Sequence, residues 1–150
     1  MNTEAESEAS DVAACVARAR AAMETFADAD QEAVDAAVTA VAWSIYRPEN
    51  AEALAELAVQ DTGLGNVADK IIKNQRKTFG TLRDLLRTKT VGVIEDDPDR
   101  GMTKYAKPVG VVAAVTPSTN PAATPINKAC LLYTSPSPRD ATLSRMPSSA

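Results

Sequence analysis

The chain has 150 residues, of which 45% are hydrophobic and 24% charged, and a formal net charge of −4. That length fits one domain or part of a larger one, and the acidic balance argues against a dedicated nucleic-acid binder, whose electrostatic footprint is basic. With no histidine, the commonest metal ligand and the usual general base near neutral pH are both missing, so no metal site is expected.

Met1 to Ser10 is polar and acidic, has no apolar signal-peptide core, and is expected to be a loose N-terminus. From Asp11 the pattern is helical: Val12, Cys15, Val16, Ala19, Ala22 and Met23 recur at spacings of three and four and form one apolar stripe. Cys15 on that stripe reads as a small buried hydrophobe. A second helix is predicted from Gln31 to about Tyr46, with Asp30 as its cap and Val34, Ala37, Val38, Val41, Ala42 and Ile45 on one face. Arg47-Pro48 ends it. Asn50 is a candidate cap for a third helix, Ala51 to about Gln60, with Leu54, Leu57 and Ala58 inward.

Thr62-Gly63-Leu64-Gly65 breaks the chain before a fourth helix, about Val67 to Arg87. Its apolar positions are Ile71, Ile72, Phe79, Leu82, Leu85 and Leu86. Lys70, Lys73, Arg76, Lys77, Arg83 and Arg87 form a basic series, read chiefly as a solvated helix face and secondarily as a site for an anionic ligand or lipid. At Thr88 the period changes. Val91, Val93 and Ile94 read as a short strand, Glu95 to Gly101 as an acidic turn without calcium-loop spacing, and Met102 to Ala106 as an edge strand that Pro108 breaks off. Val109-Gly110-Val111-Val112-Ala113-Ala114-Val115 has the near-continuous apolar character of a strand buried on both faces. Thr116 to Pro121 is a rigid turn, and a helix follows from Ala122 to about Ala129. No stretch is apolar for the roughly 18 residues that a bilayer span needs, and the two cysteines, Cys15 and Cys130, have no CxxC spacing, so a disulfide framework is not expected. A reducing cytoplasm is the expected setting, with no membrane and no nucleic-acid partner.

Thr103 to Lys128, TKYAKPVGVVAAVTPSTNPAATPINK, closely resembles the first strand, turn and helix of the aldehyde dehydrogenase superfamily, and the resemblance extends over roughly residues 12 to 129. KPVGVVAAVTPSTNP and the preceding GVIEDDPDRGMTKYAKP (Gly92 to Pro108) resemble the branch that makes acyl-coenzyme A from acetaldehyde, propionaldehyde or sulfoacetaldehyde. The resemblance implies an α/β fold, with N-terminal helices and the beginning of a Rossmann-like parallel sheet, left incomplete. Residues 11–129 would be part of an NAD-binding domain, with about 88–107 as hairpin strands that join an oligomerisation sheet in a homo-oligomer.

It implies, further, oxidation of a small aldehyde with NAD or NADP through a cysteine thiohemiacetal and thioester, with coenzyme A as co-substrate. The main chain at Val115, Thr116, Pro117 and Ser118 would pass the nicotinamide. Non-acylating relatives carry Pro-Trp-Asn-Phe-Pro where this chain has Pro117-Ser118-Thr119-Asn120-Pro121. Their asparagine donates to the substrate oxyanion; a gapless match puts Thr119 there and Asn120 one residue later, so either residue, or a nearby backbone N–H, is a candidate donor. The nucleophilic cysteine, the ribose-binding lysine and the pyrophosphate glycines of the family have no counterpart here, so the chain is expected to be an inactive fragment. A non-acylating (semi)aldehyde dehydrogenase fragment and a non-catalytic helical binding protein are the alternatives. From Cys130 to Ala150 the sequence, rich in Ser, Pro and Arg, resembles a translated sequencing-adapter read-through and is expected to be a non-native tail rather than a natural proline-rich extension.

Overall fold

A computed structural model describes the backbone of residues 2–107 and 109–134 and the side chains of residues 11–107 and 109–132. Pro108, and the part of the expected non-native tail from Ser135 to Ala150, lie outside the described residues. The elements in order are α1 (Asn2–Thr25), α2 (Gln31–Tyr46), α3 (Pro48–Thr62), α4 (Val67–Leu85), β1 (Val93–Asp97), β2 (Met102–Tyr105) and α5 (Ala123–Thr134). This is a helix-rich, incomplete α/β arrangement with one two-stranded antiparallel sheet.

Helix α2 is the centre, packing against α3, α4 and α5. Asp30 caps it as expected, its carboxylate accepting from the Ala33 N–H at 2.8 Å. The predicted face is the buried one: Val34, Val38, Ala42 and Ile45 are each at most 5% exposed. Cys130 of α5 completes the cluster with Val34, Val38 and Ala42, and Phe26, Leu82, Val91 and Ile126 pack against it. Helix α5 therefore continues from Ala123 through Cys130 to Thr134, so it takes in the first residues of the segment expected as a non-native tail.

The first helix begins at Asn2, so residues 2–10 are not the loose segment that their polarity implied. Glu4, Ala5, Glu6, Glu8 and Ala9 are good helix formers. The apolar stripe of α1 packs against no other element among the described residues, and Val12 and Cys15 are exposed. Cys15 is thus not the buried hydrophobe that its place on the stripe implied.

Helix α3 starts at Pro48, with Pro in the first turn, where its missing N–H costs nothing. Asn50 is not its cap; its side-chain amide donates to the Ser44 carbonyl at 2.5 Å. The inward face is Ala51, Ala55 and Ala58, while Leu57 is exposed. These small side chains admit a polar row from α4, namely Lys70, Asn74 and Thr78, in place of the expected Ile and Phe face. Asn74 donates to the Ala51 carbonyl at 3.2 Å, which fixes the α3–α4 approach. Ile72, Phe79 and Leu86 are correspondingly exposed.

The hairpin pairs Val93 with Tyr105 and Asp97 with Met102, with an irregularity between Val93 and Glu95. The acidic residues expected in the turn instead extend β1: Asp96 accepts from the Thr103 hydroxyl at 2.8 Å and Glu95 pairs with Lys104. The turn itself is Pro98 to Gly101, where Gly101 supplies a φ of +62°. Gln31 tethers the approach to the hairpin, its Oε1 accepting from the backbone N–H of Thr90 at 2.8 Å and of Val91 at 3.2 Å. Val109 to Val115, expected as a doubly buried strand, is exposed throughout and carries no regular secondary structure. A strand is defined by its ladder, and no neighbouring strand for this run is among the described residues.

Candidate functional site

The local chemistry of the site starts at the break between α3 and α4. Gly63, at φ +64°, closes α3 in the left-handed conformation. Gly65 is also left-handed, at φ +75°. Asn66 then opens α4: its Oδ1 accepts from the Asp69 N–H at 2.9 Å, and its Nδ2 donates to the Asp69 carboxylate at 2.7 Å. The turn after Val115 arrives beside this helix end. In it the Asn120 N–H donates to the Pro117 carbonyl at 3.2 Å, and the Lys128 ammonium of α5 donates to the Val115 carbonyl at 2.6 Å. The lysine ties the start of the turn to the helix that follows it.

Between the two lies an open cavity of about 160 Å³. Gly65 and Asn66, then Lys70 and Lys73 of α4, form one side, and Thr119 forms the other. Asp69 also reaches it, with its carboxylate held by Asn66. Thr119 is thus a sequence-predicted site residue that lines this cavity. Val115, Thr116, Pro117 and Ser118 are exposed beside it, and Asn120 is half-buried with its backbone N–H used inside the turn.

Sequence reasoning gave Lys70 a ligand role only as its secondary reading. Read as one of a solvated basic series, it is only 8% exposed, whereas Arg76, Lys77, Arg83 and Arg87 are exposed as expected. The only available signal was position: Lys70 is one turn beyond a Gly-Leu-Gly-Asn break.

Neither cysteine belongs to the cavity. Cys130 is buried, its Sγ donating to the Val38 carbonyl at 3.8 Å, and burial pushes its thiol pKa up, away from the thiolate that nucleophilic chemistry needs. Cys15 sits on α1, with the Arg18 guanidinium donating to its sulfur at 3.0 Å, on a helix that packs against none of the site elements. Among the described residues no group of three or more His, Cys, Asp or Glu side chains is placed to hold a metal ion, and no helix is long and apolar enough to cross a membrane.

The pattern of the aldehyde dehydrogenase family matches residues 1–133. The chain is 63% identical over 124 residues to a sulfoacetaldehyde dehydrogenase (acylating) from Cupriavidus necator, covering 83% of this chain and 25% of that protein. It is 49% identical over 106 residues to a sulfoacetaldehyde dehydrogenase (acylating) from Bilophila wadsworthia, covering 71% of this chain and 23% of that protein. A solved acetylating aldehyde dehydrogenase from Geobacillus thermoglucosidasius superposes with a TM-score of 0.79 at 35% identity, over 85% of this chain and 28% of that one. The chain spans about a quarter of the length of these relatives.

Proposed function

The chain belongs to the aldehyde dehydrogenase family, and on that premise we propose that it is a portion of an enzyme that oxidises sulfoacetaldehyde to the corresponding acyl-coenzyme A. The observation that carries this reading is the likeness to the Cupriavidus enzyme, which runs through both the helical bundle and the Pro117–Pro121 turn. In such a reaction a cysteine thiolate adds to the aldehyde carbon, hydride then leaves that carbon, and the acyl group passes from sulfur to a second thiol. When bound, NAD or NADP takes up the hydride and coenzyme A the acyl group. The thiolate comes from outside Cys15 and Cys130, for the reasons of burial and position given above.

The residues of this chain position and stabilise. Val115 to Ser118 are exposed, and although the carbonyls of Val115 and Pro117 are engaged by Lys128 and Asn120, the exposed segment fits a nicotinamide neighbour. Thr119 is our first candidate for the oxyanion donor, supported by its place on the cavity wall; the side-chain amide of Asn120 is the alternative, the backbone N–H of that residue being committed to the turn. The Lys128–Val115 hydrogen bond holds the turn in register. The Val93–Tyr105 hairpin, whose second strand is exposed and which packs on no other helix or strand among the described residues, serves assembly into a homo-oligomer. Residues 11–129 form part of the nicotinamide-binding domain of a cytoplasmic enzyme.

The test is a chimera in which this chain's matched residues replace the corresponding part of the Cupriavidus enzyme. The expected outcome is coenzyme A-dependent reduction of NAD or NADP by sulfoacetaldehyde. Turnover without coenzyme A would contradict the acylating reading. Turnover of acetaldehyde but not sulfoacetaldehyde would contradict the substrate.

A further inference from the structure

The proposed substrate carries a fixed negative charge, and the cavity is lined by two lysines against one aspartate. Lys70 is 92% buried by its 8% exposure. Among the described residues its ammonium makes no ion pair and no hydrogen bond. What is covered is the lysine stem; the ammonium itself stays open to the cavity, where an anion can reach it.

We propose that Lys70 is the substrate's anion receptor: it holds the sulfonate while Thr119 faces the carbonyl. This rests on the substrate reading above. Four further observations support it. Lys70 lines the same cavity as Thr119, so charge and carbonyl are recognised in one small space. In sulfoacetaldehyde a single methylene separates the two groups, which matches that closeness. The cavity, of about 160 Å³ and open to solvent, admits a group as small as a sulfonate. Finally, the space over Gly65 is what the lysine occupies: a Cβ built there would lie 3.6 Å from Lys70 Cε.

The local field has the right sign. The cavity opens at the N-terminus of α4, whose first N–H groups point outward and favour an anion. Asn66 caps only that of Asp69. Lys73 adds a second positive charge at the rim. Asp69 opposes them, but its carboxylate is already engaged by the Asn66 amide. Lys70 and Lys73 against Asp69 leave the lining with one net positive charge.

The experiment is an NMR titration of the full chain with isethionate, the alcohol that matches sulfoacetaldehyde atom for atom apart from the carbonyl. Ethylene glycol serves as the uncharged control and inorganic phosphate as a probe for a coenzyme phosphate site. Isethionate is expected to shift the amides of Asn66 to Lys73 and of Thr119, with saturation. Lys70→Met is expected to weaken binding roughly ten- to a hundredfold, the range for one charged hydrogen bond, and Lys70→Arg to retain it. The proposal is overturned by shifts that map elsewhere, by no saturable shift, by an equal response to ethylene glycol, by tighter binding of phosphate, or by a Lys70→Met chain that keeps its native spectrum and binds as before. The chimera separates the two levels. If it oxidises sulfoacetaldehyde but Lys70→Met leaves its kcat/KM ratio for sulfoacetaldehyde over acetaldehyde unchanged, the receptor falls and the substrate reading stands. If it rejects sulfoacetaldehyde and accepts acetaldehyde, the substrate reading falls.

Discussion

Helices α1 and α2 carry nearly the same pattern and meet opposite fates. Val12, Cys15, Val16, Ala19, Ala22 and Met23 repeat on α1 as Val34, Ala37, Val38, Val41, Ala42 and Ile45 do on α2. The second row closes the core, with Val38 at 0% exposure, and the first leaves Val12 at 64%. Periodicity specifies that a face exists; burial needs a neighbour within reach, and that information lies elsewhere in the chain. Val109 to Val115 teaches the same lesson for strands: an apolar run without a ladder partner remains exposed.

Substitution sharpens the contrast. Ile45→Ala removes a side chain that is 1% exposed and is expected to destabilise the bundle by about 2–5 kcal/mol, read by denaturant unfolding. Gln31→Ala orphans the N–H groups of Thr90 and Val91 and is expected to cost about 1–3 kcal/mol and to loosen the approach to the hairpin, read by the same unfolding curve and by the Thr90 amide shift. Val12→Ala, on the uncovered stripe, is expected to stay within about 0.5 kcal/mol of the parent. A Val12→Ala cost equal to that of Ile45→Ala would mean that α1 does have a partner.

The legible parts of the fold were those set by local chemistry. Asp30 as a cap, the Arg47-Pro48 stop, the Gly63 break and the hairpin around Gly101 each follow from what one or two residues permit. The α3–α4 contact was not legible, because alanines face a lysine, an asparagine and a threonine there, and hydropathy ranks Leu57 and Ile72 above them. That contact is held by the Asn74 side chain and by close approach of small residues, which leave no hydrophobic signature. Thr119 was reached only through the family resemblance of the Pro117–Pro121 turn, and Lys70 stood undistinguished in a basic series whose ligand role was the secondary reading. The extent of α1 was misjudged because glutamate-rich polarity was read as looseness, although glutamate and alanine both favour helix.

The most direct test of the division between a closed bundle and its uncovered flanks is amide hydrogen exchange on the full chain. The amides of Val34 to Ile45 should exchange only through global unfolding, while those of Val12 to Met23 and Val109 to Val115 should exchange through local opening at far lower free energy. Equal protection of α1 and α2 would contradict the account, because it would require a covered face where the structure leaves an open one.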